Sequence, residues 1–122
     1  MKLLVVEDEA LLRHHLQSRL SEGGHVVEAV GDAEEALYQA EQFNHDLAIV
    51  DLGLPGMSGR QLAEMARKLH PGLRILFITG YAENASAHLG RLAPGMQVLN
   101  KPFSFATLKH KVALILSSES KP

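Results

Sequence analysis

At 122 residues, with a formal net charge of -2 and 46% hydrophobic residues, the chain reads as one soluble domain long enough to bury its own core. The near-neutral charge excludes broad attraction to nucleic acid or to acidic membranes. The absence of cysteine excludes disulfides, thiol nucleophiles and zinc–thiolate sites. No apolar run is long enough to span a bilayer, and the opening one is too short for a signal peptide, which predicts a cytoplasmic protein.

The chain opens with Lys2-Leu3-Leu4-Val5-Val6, a strand-length run that stops at Glu7-Asp8. Residues 10–22 follow as a helix, with Leu12, Leu16 and Leu20 recurring along one face. Gly23-Gly24 predicts its end, one glycine taking the left-handed conformation. Residues 25–29 read as a short second strand. Asp32 and Glu35 have capping-box spacing, opening a helix with Ala36, Leu37, Ala40 and Phe43 turned inward.

Next comes Leu47-Ala48-Ile49-Val50, ending abruptly in Asp51 and the loop Leu52-Gly53-Leu54-Pro55-Gly56. A short apolar run bounded by turn residues predicts a strand buried on both faces. Ser58 with Gln61 has capping-box spacing, and Met57 with Leu62 has hydrophobic-staple spacing. The helix they open is expected to bury Leu62, Met65, Ala66 and Leu69 and to stop at His70-Pro71-Gly72. Residues 74–78 form a fourth strand, ending at Thr79-Gly80. Residues 83–91 read as a weak helix anchored by Leu89 and Leu92. Residues 97–100 form a fifth strand, ending at Lys101-Pro102. Phe103-Ser104 opens a last helix with Leu108, Val112, Ile115 and Leu116 on its inner face.

Strands and helices alternating at this spacing predict an α/β fold, a parallel sheet with helices on both faces. Such folds place their ligands at the carboxyl edge of the sheet. Glu7, Asp8 and Asp51, with the Thr79 hydroxyl and the Lys101 ammonium, all lie at strand ends. Together they suit a divalent metal and a phosphoryl group. Taken alone, Glu7-Asp8 also reads as a solvated helix N-terminus favoured by the dipole. The seven histidines are scattered, and no two share a ligand spacing with an acid, so they read as surface residues.

The motifs carry a resemblance. Val5-Val6-Glu7-Asp8-Glu9, Asp51 with Leu54-Pro55-Gly56-Met57-Ser58-Gly59, Thr79-Gly80 and Lys101-Pro102-Phe103 stand in order at strand ends. In this the chain resembles a bacterial response-regulator receiver domain. Its first half is similar to PhoP-type DNA-binding regulators and its second half to receivers of hybrid histidine kinases. The resemblance implies a flavodoxin-like (βα)5 three-layer sandwich with strand order 2-1-3-4-5. It implies a receiver domain over residues 1–118 and a polar tail over 119–122.

The resemblance also implies the roles. Asp51 would be the phosphoacceptor, and Mg²⁺ would be held by Asp8, Asp51 and the Gly53 backbone carbonyl, with Glu7 holding a metal-bound water. Lys101 and Thr79 would meet phosphoryl oxygens. Receivers usually carry an aromatic toggle three positions before the lysine; here that position is Val98, and Tyr81 on the loop after Thr79 becomes the switch candidate.

The implied partner is a histidine kinase or histidine phosphotransfer protein. An effector or kinase domain in a parent chain and a homodimer are further options, with no nucleic acid or membrane contact by this domain. The surface of the fourth helix, fifth strand and last helix would carry the output, in a signalling switch rather than a turnover enzyme.

Three other readings compete. An aspartyl-phosphate phosphatase would carry a second aspartate two positions after the nucleophile, where Gly53 stands. A flavin carrier would have a hydroxyl-rich phosphate loop where Glu7-Asp8-Glu9 stands. A receiver-like interaction module that works without phosphorylation is the remaining alternative.

Overall fold

The computed structural model describes residues 1–54, 56–80 and 95–117. The strands are β1 (Lys2–Val6), β2 (Val26–Val30), β3 (Leu47–Asp51), β4 (Arg74–Thr79) and β5 (Met96–Asn100). They form one parallel sheet in the order β2-β1-β3-β4-β5. The helices among the described residues are α1 (Ala10–Glu22), α2 (Ala33–Gln42), α3 (Gly59–Leu69) and α4 (Phe105–Ser117). The helix expected at 83–91, its anchors Leu89 and Leu92, the loop residue Tyr81 and the tail at 119–122 lie outside the described residues.

Two apolar layers follow from the period-2 geometry of the strands. Leu4, Val6, Ala48, Val50, Ile75 and Phe77 face one way, against Ala36 of α2 and Leu62, Ala63 and Ala66 of α3. Leu3, Val5, Leu47, Ile49, Leu76 and Ile78 face the other, against Leu16 and Leu20 of α1 and Leu108, Val112 and Ile115 of α4. Because β1, β3 and β4 are covered on both sides, they read as continuous apolar runs rather than alternating ones.

Local signals explain the element ends. Gly24 takes a φ of 91°, as the Gly-Gly pair after α1 predicts. Ser58 and Gln61 close both arms of the capping box that starts α3. At α2 only one arm forms. Asp32 accepts from the Glu35 amide at 2.8 Å, while the Glu35 carboxylate turns to the Gly31 amide at 3.3 Å. Ser104 caps α4 by accepting from the Thr107 amide at 3.0 Å.

Several expectations need correction. The second strand runs one residue later than 25–29. Phe43 does not turn inward: α2 ends before it, and its extended backbone brings the ring under the Lys2 ammonium, 3.8 Å from the centroid. Met65 and Leu69 are 42% exposed. The buried stripe of α3 is Gly59, Leu62, Ala63 and Ala66, a strict i, i+3, i+4, i+7 set. Ala63 packs against the sheet with them, while Met65 turns to solvent.

Candidate functional site

The register sets the site. Val6 lies beside Val30 and Val50, and Asp51 beside Ile78, so the residues after β1 and at the end of β3 share one edge. Glu7 is anchored there by its own amide, which donates to the Val30 carbonyl at 3.1 Å. Thr79 pairs with Asn100 across β4 and β5, and the Lys101 amide donates to the Thr79 carbonyl at 2.7 Å. That bond aims the lysine stem back across the edge.

Four of the side chains singled out from the sequence therefore meet. Glu7, Asp8 and Asp51 each bring a carboxylate oxygen within 4.8 Å of the others. Lys101 Nζ lies 3.4 Å from Asp51 Oδ2 and 3.6 Å from Glu7 Oε1. Glu7 and Asp51 are buried, at 1% and 6% exposure, whereas Asp8 faces solvent. Thr79 is buried at the same edge. The Gly53 amide donates to Asp51 Oδ1 at 2.9 Å. An amide on one oxygen and an ammonium on the other fix the plane of the Asp51 carboxylate.

Among the described residues one cation, the Lys101 ammonium, lies within 4 Å of carboxylates of this cluster, and the imbalance falls on Glu7. Its pKa is raised from 4.5 to about 7, first by burial. The Asp51 carboxylate adds to this, repelling the charge and accepting from the protonated form; the Glu9 amide and the Lys101 ammonium oppose it. Glu7 Oε2 accepts from the Glu9 amide at 3.0 Å, but the buried Oε1 has no hydrogen-bond partner. An all-oxygen donor set of this size, with an orphaned buried oxygen and surplus negative charge, fits a hard dication that keeps several waters.

Some features of the site were not anticipated. Gly59 is one: a Cβ there would stand 2.7 Å from the Asp51 carbonyl oxygen and 3.1 Å from Leu52 Cα. The bare Cα lets α3 begin directly against the end of β3. Alanine is the better helix former by up to about 1 kcal/mol. Gly59→Ala is nonetheless expected to destabilise by about 1–3 kcal/mol, because the clash is with main chain that cannot yield. An unchanged denaturation midpoint would show that α3 slides freely.

Val98 lies beside Phe77 and packs, half-buried, on the α2/α3 side of the sheet. The surface reading of the histidines fails for His45, which is buried with Nε2 2.7 Å from Glu28 Oε1. His45 lies in the connection before β3 and its partner on β2, where spacing along the chain carries no signal.

Comparison with known proteins accords with this architecture. Residues 3–113 match the family described as response regulator receiver domain. The two-component response regulator PhoP of Pseudomonas aeruginosa is 49% identical over 120 residues, 98% of this chain and 53% of that protein. The chain thus spans about half the length of that relative, and the PhoP likeness expected for the first half extends along nearly all of it. The response regulator TrrA of Thermotoga maritima, solved in complex with Mg²⁺-BeF, is 34% identical with a TM-score of 0.83, covering 94% of this chain and 98% of that one. The receiver domain of the hybrid histidine kinase CckA is 32% identical with a TM-score of 0.83, covering 95% and 99%. A match that runs through the whole sheet, in sequence and in strand order, leaves one assignment: the chain belongs to the response-regulator receiver family of two-component signalling.

Proposed function

We propose that Asp51 accepts a phosphoryl group from a phosphohistidine on a histidine kinase or histidine phosphotransfer protein, and that the modified chain signals through the face carrying β5 and α4. The observation that carries this reading is the buried Asp51 carboxylate held between the Lys101 ammonium and the Gly53 amide, beside two further carboxylates. One Asp51 oxygen forms the new P–O bond as the P–N bond breaks, and the electron pair of the broken bond stays on the imidazole nitrogen. A carboxylate is a modest nucleophile, so orientation and charge neutralisation do most of the work. Lys101 pairs with one phosphoryl oxygen and the Thr79 hydroxyl donates to another.

Mg²⁺ fits the donor set. Asp8 and Asp51 would bind it by carboxylate and Gly53 by its carbonyl, while Glu7 would hold one of its waters. Bound there, it supplies positive charge opposite the transferring oxygens. The chain works as a switch, its own chemistry limited to uptake at Asp51 and slow autodephosphorylation. An output domain joined to the receiver belongs to the same proposal, since the PhoP relative is about twice as long as its matched region.

Incubation with Mg²⁺ and acetyl phosphate, read by intact mass, tests the reading. One phosphoryl adduct is expected on the wild-type chain, none without Mg²⁺ and none on Asp51→Ala. An adduct that persists on Asp51→Ala would move the acceptor elsewhere.

A further inference from the structure

Arg13 lies one turn into α1, and its guanidinium reaches back over the β1–α1 turn. Nη1 donates to the Glu7 carbonyl at 2.9 Å and approaches the Asp8 carbonyl at 3.4 Å. These are the main-chain oxygens of the two residues whose carboxylates face Asp51. The turn is otherwise tied by the Glu7 amide on the Val30 carbonyl and the Glu9 amide on the Glu7 carboxylate. Neither bond reaches Asp8, which is exposed. The guanidinium is the group that spans both carbonyls, through a single nitrogen whose two N–H bonds are held in the guanidinium plane.

A second observation concerns Gly31, across the turn after β2. A Cβ at that position would lie 2.9 Å from Arg13 Nη1. Gly31 is not among the glycines with positive φ, so its backbone does not demand glycine. The space left by the missing side chain holds the guanidinium. Arg13 and Gly31 thus form one fitted contact between α1, the acidic turn and the end of β2.

We propose that Arg13 is a positioning residue for the cation site: by holding the Glu7 and Asp8 carbonyls, with Gly31 making room for it, it fixes Asp8 in the orientation that binds Mg²⁺. This rests on the reading of the site given above. The sign of the effect separates positioning from simple charge. Removing a cation from the turn that bears Glu7 and Asp8 raises the local negative potential, which by itself strengthens binding of a dication. Loss of orientation weakens it.

Mg²⁺ titrations of the full chain by calorimetry, with labelling by acetyl phosphate alongside, test the proposal. Arg13→Ala is expected to weaken Mg²⁺ binding by about tenfold or more, the scale on which groups orienting metal ligands act. Arg13→Lys, which keeps the charge but not the planar geometry, recovers part of it. Gly31→Ala keeps the charge but pushes the flexible guanidinium aside, and it too weakens binding. The double variant is no worse than Arg13→Ala, because both changes remove the same contact. Melting temperatures in chelator check that each variant is folded. Wild-type affinity in Gly31→Ala, or tighter binding in Arg13→Ala, would overturn the proposal. A wild-type chain that neither binds Mg²⁺ nor takes the label would instead overturn the function assigned to the site.

Discussion

Replacing Lys101 by alanine is expected to slow phosphoryl uptake from acetyl phosphate on the order of a hundredfold or more, the cost of losing one preorganised donor to a developing charge. Nζ is the one cation within 4 Å of both Asp51 and Glu7 among the described residues. It is held by a stem whose backbone is pinned to β4 through the Thr79 carbonyl. The ammonium therefore does not need to reorganise when charge develops on the transferring group. Lys101→Arg keeps the charge but spreads it over a planar fork too broad for the same gap, and an intermediate rate is expected. The measurement is the initial rate of mass labelling at saturating Mg²⁺. A wild-type rate in Lys101→Ala would assign charge neutralisation to the metal alone.

The second large effect couples pH to Mg²⁺ through Glu7. In the metal-free chain Glu7 carries a pKa of about 7, against its ordinary 4.5, chiefly because it is buried. Below pH 4.5 the carboxyl is protonated in both folded and unfolded states, and its burial carries no ionisation penalty. Between 4.5 and about 7 the folded state binds more protons than the unfolded one, so stability falls as pH rises. Above about 7 the penalty is complete, on the order of 3 kcal/mol. A dication at the carboxylate cluster supplies the positive charge that the lost proton no longer provides.

Metal-free protein is thus expected to melt lower at about pH 8 than at about pH 5, with Mg²⁺ restoring more stability at the higher pH. Glu7→Gln, neutral at every pH, should flatten the metal-free slope over that interval. An equal Mg²⁺ increment at both pH values would remove Glu7 from the linkage.

Much of this molecule is written in short-range pattern. Apolar runs of four or five residues marked β1, β3 and β4, and each stops at the residue that matters: Glu7, Asp51, Thr79. Ser58 and Gln61 announced the start of α3 three residues apart, and Gly23-Gly24 announced the end of α1. Such signals are legible because caps, turns and strand alternation depend on neighbours only a few positions away. Once the alternation of strands and helices implied a parallel sheet, the sharing of one edge by the acids and Lys101 followed from chain direction alone.

Tertiary structure decided what depends on distance in space rather than in sequence. Lys101 and Asp51 are 50 residues apart, yet their 3.4 Å separation fixes the carboxylate. Glu7 looks like any acid at a helix start; its raised pKa comes from strands on both sides excluding water. Met65, expected inward, is exposed, while the smaller Gly59 and Ala63 join Leu62 and Ala66 against the sheet, a choice made by close packing. Gly59, Gly31 and Arg13 carry no local signal either. A glycine needed for clearance differs from one needed for a turn only in what lies opposite it, and a guanidinium bonded to main-chain carbonyls leaves no mark on its neighbours in sequence. Local periodicity names the elements and their ends. Close packing at the sheet edge, where a few tenths of an ångström separate contact from clash, determines the chemistry held there.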